Sequence, residues 1–501
     1  DLAHELGLYV FVRPGPNVNA ELTYFGLPAR VVFDTACQAR SPRGNPVPLV
    51  APPKMFPVPS YASERFFAET ERWFSEVAKV VEPRIWPKGT VVLIQVDNEA
   101  SFFFRDAPFD QDYHPDALAM YRRRLEAQYG SLAELNAAHG TEWSTWEDVA
   151  APQRFEGHSH AALRRSLSWI ELQESLLHGA LARMRESLAR VGLGRLPTAH
   201  NLAMGEGGFP GSIADLERAL DCVGIDYYHR RGDLRSVKER TLRVAGSSRL
   251  PFAPEFGAGA PPYFPPRTDA DSITSLMTAC AYGLRGFNLY MAVDRDRWYG
   301  APIDEDGRPR ESAETYARFV KALERTGFSR LQRRATVGLM RPREYARLSR
   351  ATHLLGAVSL SLLDLANAMP TAACLQDDLG FSTSIQTSWL PLLQSFARAL
   401  TNAGVPYVWV DDDVEIARLL DLRVLVTPTY TFASRTRMRA LRTFAERGGV
   451  VVYGPELPSL DEAFKPFDFS EPEQARRITA TEDAGVDAYV EALARELGLA
   501  S

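Results

Sequence analysis

Val91-Val-Leu-Ile-Gln-Val-Asp-Asn-Glu99 is an apolar run of the kind buried in a parallel sheet, and it stops abruptly in three polar residues. The change from strand to loop sets Asn98 and Glu99 at the carboxyl end of the strand, the edge where parallel α/β barrels assemble their chemistry. Upstream, Ser63 to Val81 carries Phe66, Phe67, Trp73, Phe74, Val77, Val80 and Val81 at helical spacing. Before that, Leu8 to Val12 is a second short apolar run, enclosed by Gly7 and Arg13-Pro-Gly-Pro16. Strand, helix, strand is the repeating unit of a parallel sheet.

Downstream, Leu167, Ile170, Leu177, Leu181, Met184, Leu188 and Val191 mark a long helix that stops near Gly192 and Gly194. Strand patterns follow at Leu196 to His200, Cys222 to Tyr227, Phe252 to Glu255 and Gly286 to Val293. With those near 8 and 91 they make six, two fewer than a TIM (β/α)₈ barrel requires. From about Ala335 the pattern restarts: strands over Thr336 to Met340, Tyr407 to Val410, Val424 to Val426 and Gly448 to Tyr453, with helices over Leu390 to Ala403 and Ser434 to Arg447. This is a smaller doubly wound, Rossmann-like unit. The basic stretch Arg325 to Arg334 separates the two. The predicted organisation is a barrel over 1–330, a Rossmann-like unit over 335–465 and an extension with a helix over 466–501.

Composition narrows the function. The chain has 501 residues, with 57 Lys+Arg against 63 Asp+Glu and a formal net charge of −6, so no broad basic face is available for nucleic acid or an anionic membrane. At 45% hydrophobic and 24% charged residues it is an ordinary globular composition, neither disordered nor fibrous. Ala351 to Pro370 is the longest apolar stretch, but His353, Asp364 and Asn367 interrupt it, and it reads as a core helix and not a membrane span. Cys37, Cys222, Cys280 and Cys374 form no C-x-x-C pair and read as buried thiols. His158-Ser-His160 alternates like a metal site but lacks a third ligand, so it reads as a loop. The second unit has neither G-x-G-x-x-G nor G-x-x-x-x-G-K, which points to a structural or oligomerisation role; no cofactor and no metal are expected.

A second glutamate stands at a strand end in Pro251-Phe-Ala-Pro-Glu255-Phe-Gly-Ala-Gly259. Two such glutamates suggest glycoside cleavage. In the retaining version one carboxylic acid protonates the leaving oxygen while a carboxylate about 5–5.5 Å away attacks the anomeric carbon.

The motifs in order carry a resemblance. Arg13-Pro-Gly-Pro-Asn17-Val-Asn-Ala-Glu21, Gln95-Val-Asp-Asn-Glu99, Tyr290-Met291 and Ala301-Pro-Ile-Asp-Glu-Asp-Gly307 resemble the successive signatures of glycoside hydrolase family 35 β-galactosidases. Tyr129 to Gly140 with Trp143 to Asp148, Asn201 and Asp226-Tyr-Tyr228 resemble family 42, and the second unit resembles the glutamine-amidotransferase-like domain beside family 42 barrels. The resemblance covers roughly Leu2 to Pro455. It implies a retaining exo-β-glycosidase, foremost a β-galactosidase, with Glu99 as acid/base and Glu255 as nucleophile. It further implies Asn98 on the sugar 2-hydroxyl, the Ala20 backbone and Glu21 side chain on other hydroxyls, and Tyr290 lining the same subsite. Asn201 joins the substrate-binding set, Tyr228 donates to the nucleophile, and Trp298 either stacks on a sugar face or packs under a loop.

Matched in this way, the first visible strand is the third of the barrel. The sequence then lacks strands one and two, and these residues alone are expected to expose open sheet edges and aggregate. The resemblance also implies a carbohydrate substrate and a homo-oligomer, plausibly a trimer; the few cysteines and lack of a visible signal favour the cytoplasm. Asn17, Asn19-Ala-Glu-Leu22 and Asp97 depart from the family 35 pattern and bear on the choice of sugar. The alternatives are β-glucosides, α-L-arabinopyranosides or β-D-fucosides, or an inactive glycan-binding scaffold. No Gly-x-Cys-x-Gly elbow follows the strands of the second unit, so amidotransferase chemistry is not expected.

Overall fold

The computed structural model describes residues 1–49, 55–104, 107–203, 211–261, 267–354 and 373–499. Its first layer has six parallel strands whose neighbours follow chain order. Strands β1 (Val10–Val12), β2 (Val91–Gln95), β3 (Thr198–Leu202) and β4 (Cys222–Ile225) form one sheet, and β5 (Phe252–Gly257) pairs with β6 (Gly286–Tyr290). Between them the Tyr227 amide donates to the Glu255 carbonyl at 2.9 Å and the Gly257 amide to the Tyr227 carbonyl at 2.8 Å, so β4 leads directly into β5. All six positions match sequence patterns, with ends displaced by two or three residues. The first begins at Val10, the third continues to Leu202, and the last stops at Tyr290.

Helices cross between the strands. Glu64–Val81 follows Ser63, whose Oγ accepts from the Phe66 amide at 3.0 Å, and Phe66, Phe67 and Phe74 turn inward. The 29-residue helix His160–Leu188 has Ser159 as its cap. Trp169, Leu176, Leu177 and Leu181 pack in the core of the six strands, whereas Leu163, Leu167 and Ile170 enter a second core. One continuous helix therefore belongs to both layers.

The second core surrounds a parallel sheet in the order β13-β11-β9-β7-β8. Its strands are β7 (Val337–Arg341), β8 (Tyr407–Asp411), β9 (Val424–Thr429), β11 (Val450–Pro455) and β13 (Ala475–Arg477). A two-stranded ladder of β10 (Phe432–Ala433) and β12 (Leu460–Asp461) lies beside it. The stretch 466–501 contributes the edge strand β13, and the helix Asp483–Leu497 places Val486, Val490 and Leu493 in this core. The core helix expected over Ala351 to Pro370 lies outside the described residues apart from its start, where the helix Arg343–Ala351 ends. All four cysteines are buried thiols. No helix among the described residues is long and apolar enough to cross a membrane.

Candidate active site

Strand β2 runs buried to Gln95 and then breaks. Asp97 and Glu99 take left-handed backbone angles, φ 57° and 43°, which cost a non-glycine residue about 1 kcal/mol or more each. Buried hydrogen bonds hold this turn. Asp97 accepts from the Tyr61 hydroxyl at 2.6 Å and from the Asn17 amide at 2.8 Å, while Asn17 Nδ2 donates to the Asn98 carbonyl at 2.5 Å. Burial pushes the Asp97 carboxyl up to about 7. Gln95 Nε2 reaches Asn98 Oδ1 at 3.1 Å and Asn201 Oδ1 at 2.8 Å, tying β2 to β3.

Above this turn the side chains converge. The Glu99 amide donates to Asn201 Oδ1 at 3.0 Å, and Asn98 Nδ2 and Asn19 Nδ2 both donate to Glu99 Oε2, at 3.3 and 3.2 Å. Asn201 Nδ2 faces Asn98 Oδ1 at 3.1 Å, Asp226 Oδ2 at 2.7 Å and Glu255 Oε1 at 3.2 Å. Tyr228 donates its hydroxyl to Glu255 Oε2, and Arg13 Nη2 donates to Glu255 Oε1 and to Asn98 Oδ1. An oxygen of each of Glu99, Asp226 and Glu255 lies within 4.8 Å of the other two.

This upper bound lies nearer the separation of about 5–5.5 Å between the carboxyls of a retaining pair than the about 6.5–9.5 Å of an inverting pair. The electrostatics distinguish the two glutamates. Burial, reinforced by the charge of Glu255, pushes the Glu99 carboxyl up to about 8. Burial and the same neighbours hold Asp226 well above the usual carboxylate range. Burial disfavours the Arg13 cation as well, but the adjoining Glu255 carboxylate outweighs it and holds Arg13 above its ordinary value. Both Glu255 oxygens face donors, Arg13 on Oε1 and the Tyr228 hydroxyl on Oε2. The three carboxyls are the one group of potential metal ligands of this type among the described residues, and Arg13 already supplies a cation beside them.

An outer ring borders this centre. Asn19, Ala20 and Glu21 form a loop with three successive left-handed residues, φ 56°, 43° and 56°. Arg295 Nη2 clamps it, donating to Glu21 Oε2 at 2.5 Å and to the Ala20 carbonyl at 3.1 Å, and the Tyr290 hydroxyl donates to the same Glu21 oxygen at 3.1 Å. Trp298 is 2% exposed, with its Nε1 donating to the Ala258 carbonyl at 2.8 Å and its ring edge-on to Tyr290. Of its two sequence alternatives, packing beneath the loops is the arrangement present. His160 lies away from any such cluster, its ring stacked on Phe381 and Phe464.

Every residue assigned from sequence thus lies in one neighbourhood: Glu99, Glu255, Asn98, Asn201 and Tyr228 at its centre, Ala20, Glu21, Tyr290 and Trp298 around it. Sequence reasoning gave no role to Arg13, Asn19, Asp226 or Arg295. Arg13 and Asp226 each stand one residue past a parallel strand, on the edge that bears Glu99, and that position is the signal by which they could have been found.

The family model for glycoside hydrolase family 42, described as β-galactosidase, matches residues 60–251. An exo-β-D-glucosaminidase of Pyrococcus horikoshii is 23% identical over 505 residues, which cover 93% of this chain and 60% of that protein. The β-galactosidase of Felis catus is 28% identical over 130 residues, 26% of this chain and 15% of that one. The chain therefore spans 60% or less of the length of these sequence relatives. Among solved structures, a catalytic mutant of a family 42 β-galactosidase from G. stearothermophilus superposes with a TM-score of 0.72 at 13% identity, over 99% of this chain and 79% of that one. Residues 60–251 thus match the family 42 glycoside hydrolase model, the chain shares its fold with family 42 β-galactosidases of known structure along its length, and it has distant sequence similarity to β-galactosidases such as that of Felis catus.

Proposed function

We propose that the chain is a retaining exo-β-glycosidase, foremost a β-galactosidase, whose six strands are strands three to eight of a (β/α)₈ barrel. The observation that carries this reading is the approach of Glu99 and Glu255 to within 4.8 Å, one glutamate favouring its protonated form and the other held between Arg13 and Tyr228. Glu99 gives its proton to the glycosidic oxygen as a Glu255 oxygen attacks the anomeric carbon, breaking the bond to the leaving group and forming a glycosyl ester. Glu99, now ionised, takes a proton from water; the water oxygen displaces Glu255, and the sugar leaves with its original anomeric configuration. Asn98 holds the 2-hydroxyl in a contact that strengthens towards the transition state, and Glu21 with Tyr290 meets hydroxyls on the far side of the ring.

The Pyrococcus horikoshii relative supports a second reading, an exo-β-D-glucosaminidase. The Arg13 guanidinium against Asn98 Oδ1 supports a neutral 2-hydroxyl over a 2-ammonium there, and so a non-amino sugar over a glucosaminide. A homo-oligomer, a trimer by family resemblance, belongs to the same proposal, and sedimentation of the purified chain tests it.

Nitrophenyl β-galactoside, β-glucoside, β-D-fucoside, α-L-arabinopyranoside and β-glucosaminide, offered in parallel, identify the sugar, and proton NMR of the first-formed product identifies the stereochemistry. The expected result is fastest release from the galactoside and a β-configured sugar at early times. An α-configured first product overturns the retaining reading; no release from any of the five overturns the enzyme reading in favour of a glycan-binding scaffold.

A further inference from the structure

Arg267 has an unusual position. It lies immediately before the helix Asp269–Tyr282, whose start is set by a capping box: Thr268 Oγ1 accepts from the Asp271 amide at 3.2 Å and the Thr268 amide donates to Asp271 Oδ2 at 2.9 Å. From there its guanidinium carbon stands 4.9 Å from the centre of the Tyr228 ring, and its Nη2 donates to the Gly259 carbonyl at 2.5 Å. Among the described residues it forms no ion pair, and its Nε has no hydrogen-bond partner. A half-buried guanidinium with no ion pair is costlier there than a methionine or leucine packed on the same ring would be.

The backbone is shaped for this stack. Gly257 lies two residues after Glu255 on β5. A Cβ added there would stand 2.7 Å from Tyr228 Cδ1 and 2.8 Å from Arg267 Nη2, closer than side chains tolerate. A residue with no side chain at this point lets ring and guanidinium meet beside the nucleophile's strand. The other edge of Tyr228 meets Trp298 and Tyr290, so the ring is enclosed and its hydroxyl is aimed at Glu255 Oε2.

We infer that Arg267 is a positioning residue for the nucleophile, acting through Tyr228: its cation on the ring face fixes the ring and draws electron density from it, strengthening the hydrogen bond that the Tyr228 hydroxyl donates to Glu255. A guanidinium on an aromatic face is worth about 0.5–2 kcal/mol, the upper end applying where water is excluded. Formation of the glycosyl ester needs the attacking oxygen of Glu255 in line with the anomeric carbon, so the loss should appear in the glycosylation rate and not in binding. This inference rests on the retaining reading above.

The test is the rate of glycosyl-ester formation in the full chain, followed by burst kinetics on a dinitrophenyl β-glycoside of the best sugar, for Arg267→Met, Arg267→Lys, Gly257→Ala, Tyr228→Phe and the double variant Arg267→Met/Tyr228→Phe. Thermal unfolding accompanies each to confirm folding. Arg267→Met and Gly257→Ala should each slow ester formation about 5–30-fold with KM changed less than about threefold. Arg267→Lys should recover part of that loss, and Arg267→Met should add nothing once Tyr228→Phe is present. Equal slowing by Arg267→Met in the parent and in the Tyr228→Phe background, or no slowing in either, overturns the inference. Failure of the retaining reading has its own signature, an α-configured first product and no burst in the parent chain. Should Arg267→Met fail to fold, Gly257→Ala measured with and without Tyr228→Phe decides the question by the same comparison.

Discussion

Glu99 and Glu171 are equally buried, each 6% exposed, and their acidities have moved in opposite directions. Glu99 shares its pocket with Asp226 and Glu255, three carboxyls facing the single guanidinium of Arg13, and is pushed up to about 8. Glu171 sits on the long helix where the two cores meet, with Arg164 at 2.8 Å, Arg124 at 3.2 Å and Arg347 at 3.7 Å. Burial alone would raise it, but these arginines hold it down at about 2. The same junction pairs Glu174 with Arg347 and Arg343 at 2.5 and 2.7 Å, and Arg343 with Asp215 at 2.9 Å. Desolvation is common to both places; the supply of guanidinium groups decides which form of the acid survives. The junction is balanced and serves stability, whereas the pocket is short of cations, which is what the acid/base role proposed for Glu99 requires.

The largest expected effect belongs to the pocket. Glu255→Ala removes the proposed nucleophile and should lower kcat/KM on the order of 10⁴-fold or more, read on any substrate of the panel. Glu99→Gln should cost about 10²–10⁴-fold on substrates with poor leaving groups, less on dinitrophenyl glycosides, and should abolish the alkaline limb expected of the parent near pH 8. If the two variants lose activity equally and mildly on every leaving group, the division of roles is wrong.

At the junction, Glu171→Ala should destabilise by about 3–5 kcal/mol in urea at pH 7, because Arg164 is left buried without its partner. Glu171 has a folded value below its ordinary one, so its stabilisation is complete above about pH 4.5 and is lost as pH falls through about 2. Glu99 is the reverse case: its folded value is raised, so its contribution is complete in acid and is lost as pH rises through about 8. Glu99→Gln should therefore stabilise the fold by on the order of 1 kcal/mol at pH 9 and by almost nothing at pH 5, the smallest effect predicted here. Destabilisation of equal size at both pH values would break the contrast between the two regions.

The six strands were legible because buried parallel strands are continuous apolar runs, and both glutamates because each follows or closes such a run. Strand ends were less legible where the site itself is polar. Strand β3 continues through His200 and Asn201, and Glu255 lies inside β5 instead of at its end, since hydrogen bonds across the sheet satisfy polar residues that a sequence pattern assigns to loops. Arg13, Asp226 and Arg295 received no individual role because their partners are remote along the chain: Arg13 meets residues 98 and 255, Asp226 meets residue 201, and Arg295 meets residue 21. A charge read alone suggests a solvated surface; only the folded strands show that its partner is a carboxyl across the pocket. Much of the junction network was invisible for the same reason, Glu171 and Glu174 lying on one helix and their partners Arg343 and Arg347 on another more than 150 residues later.

The claim that Glu255 attacks while Glu99 holds the proton is tested most directly by intact-mass and peptide analysis after incubation with 2-deoxy-2-fluoro-β-galactosyl fluoride. A single fluorogalactosyl group on the peptide bearing Glu255, formed more slowly in the Arg267→Met variant, is the predicted result. A label on another residue, or none with either this reagent or its gluco isomer under conditions in which the chain releases nitrophenol from its best substrate, would contradict it.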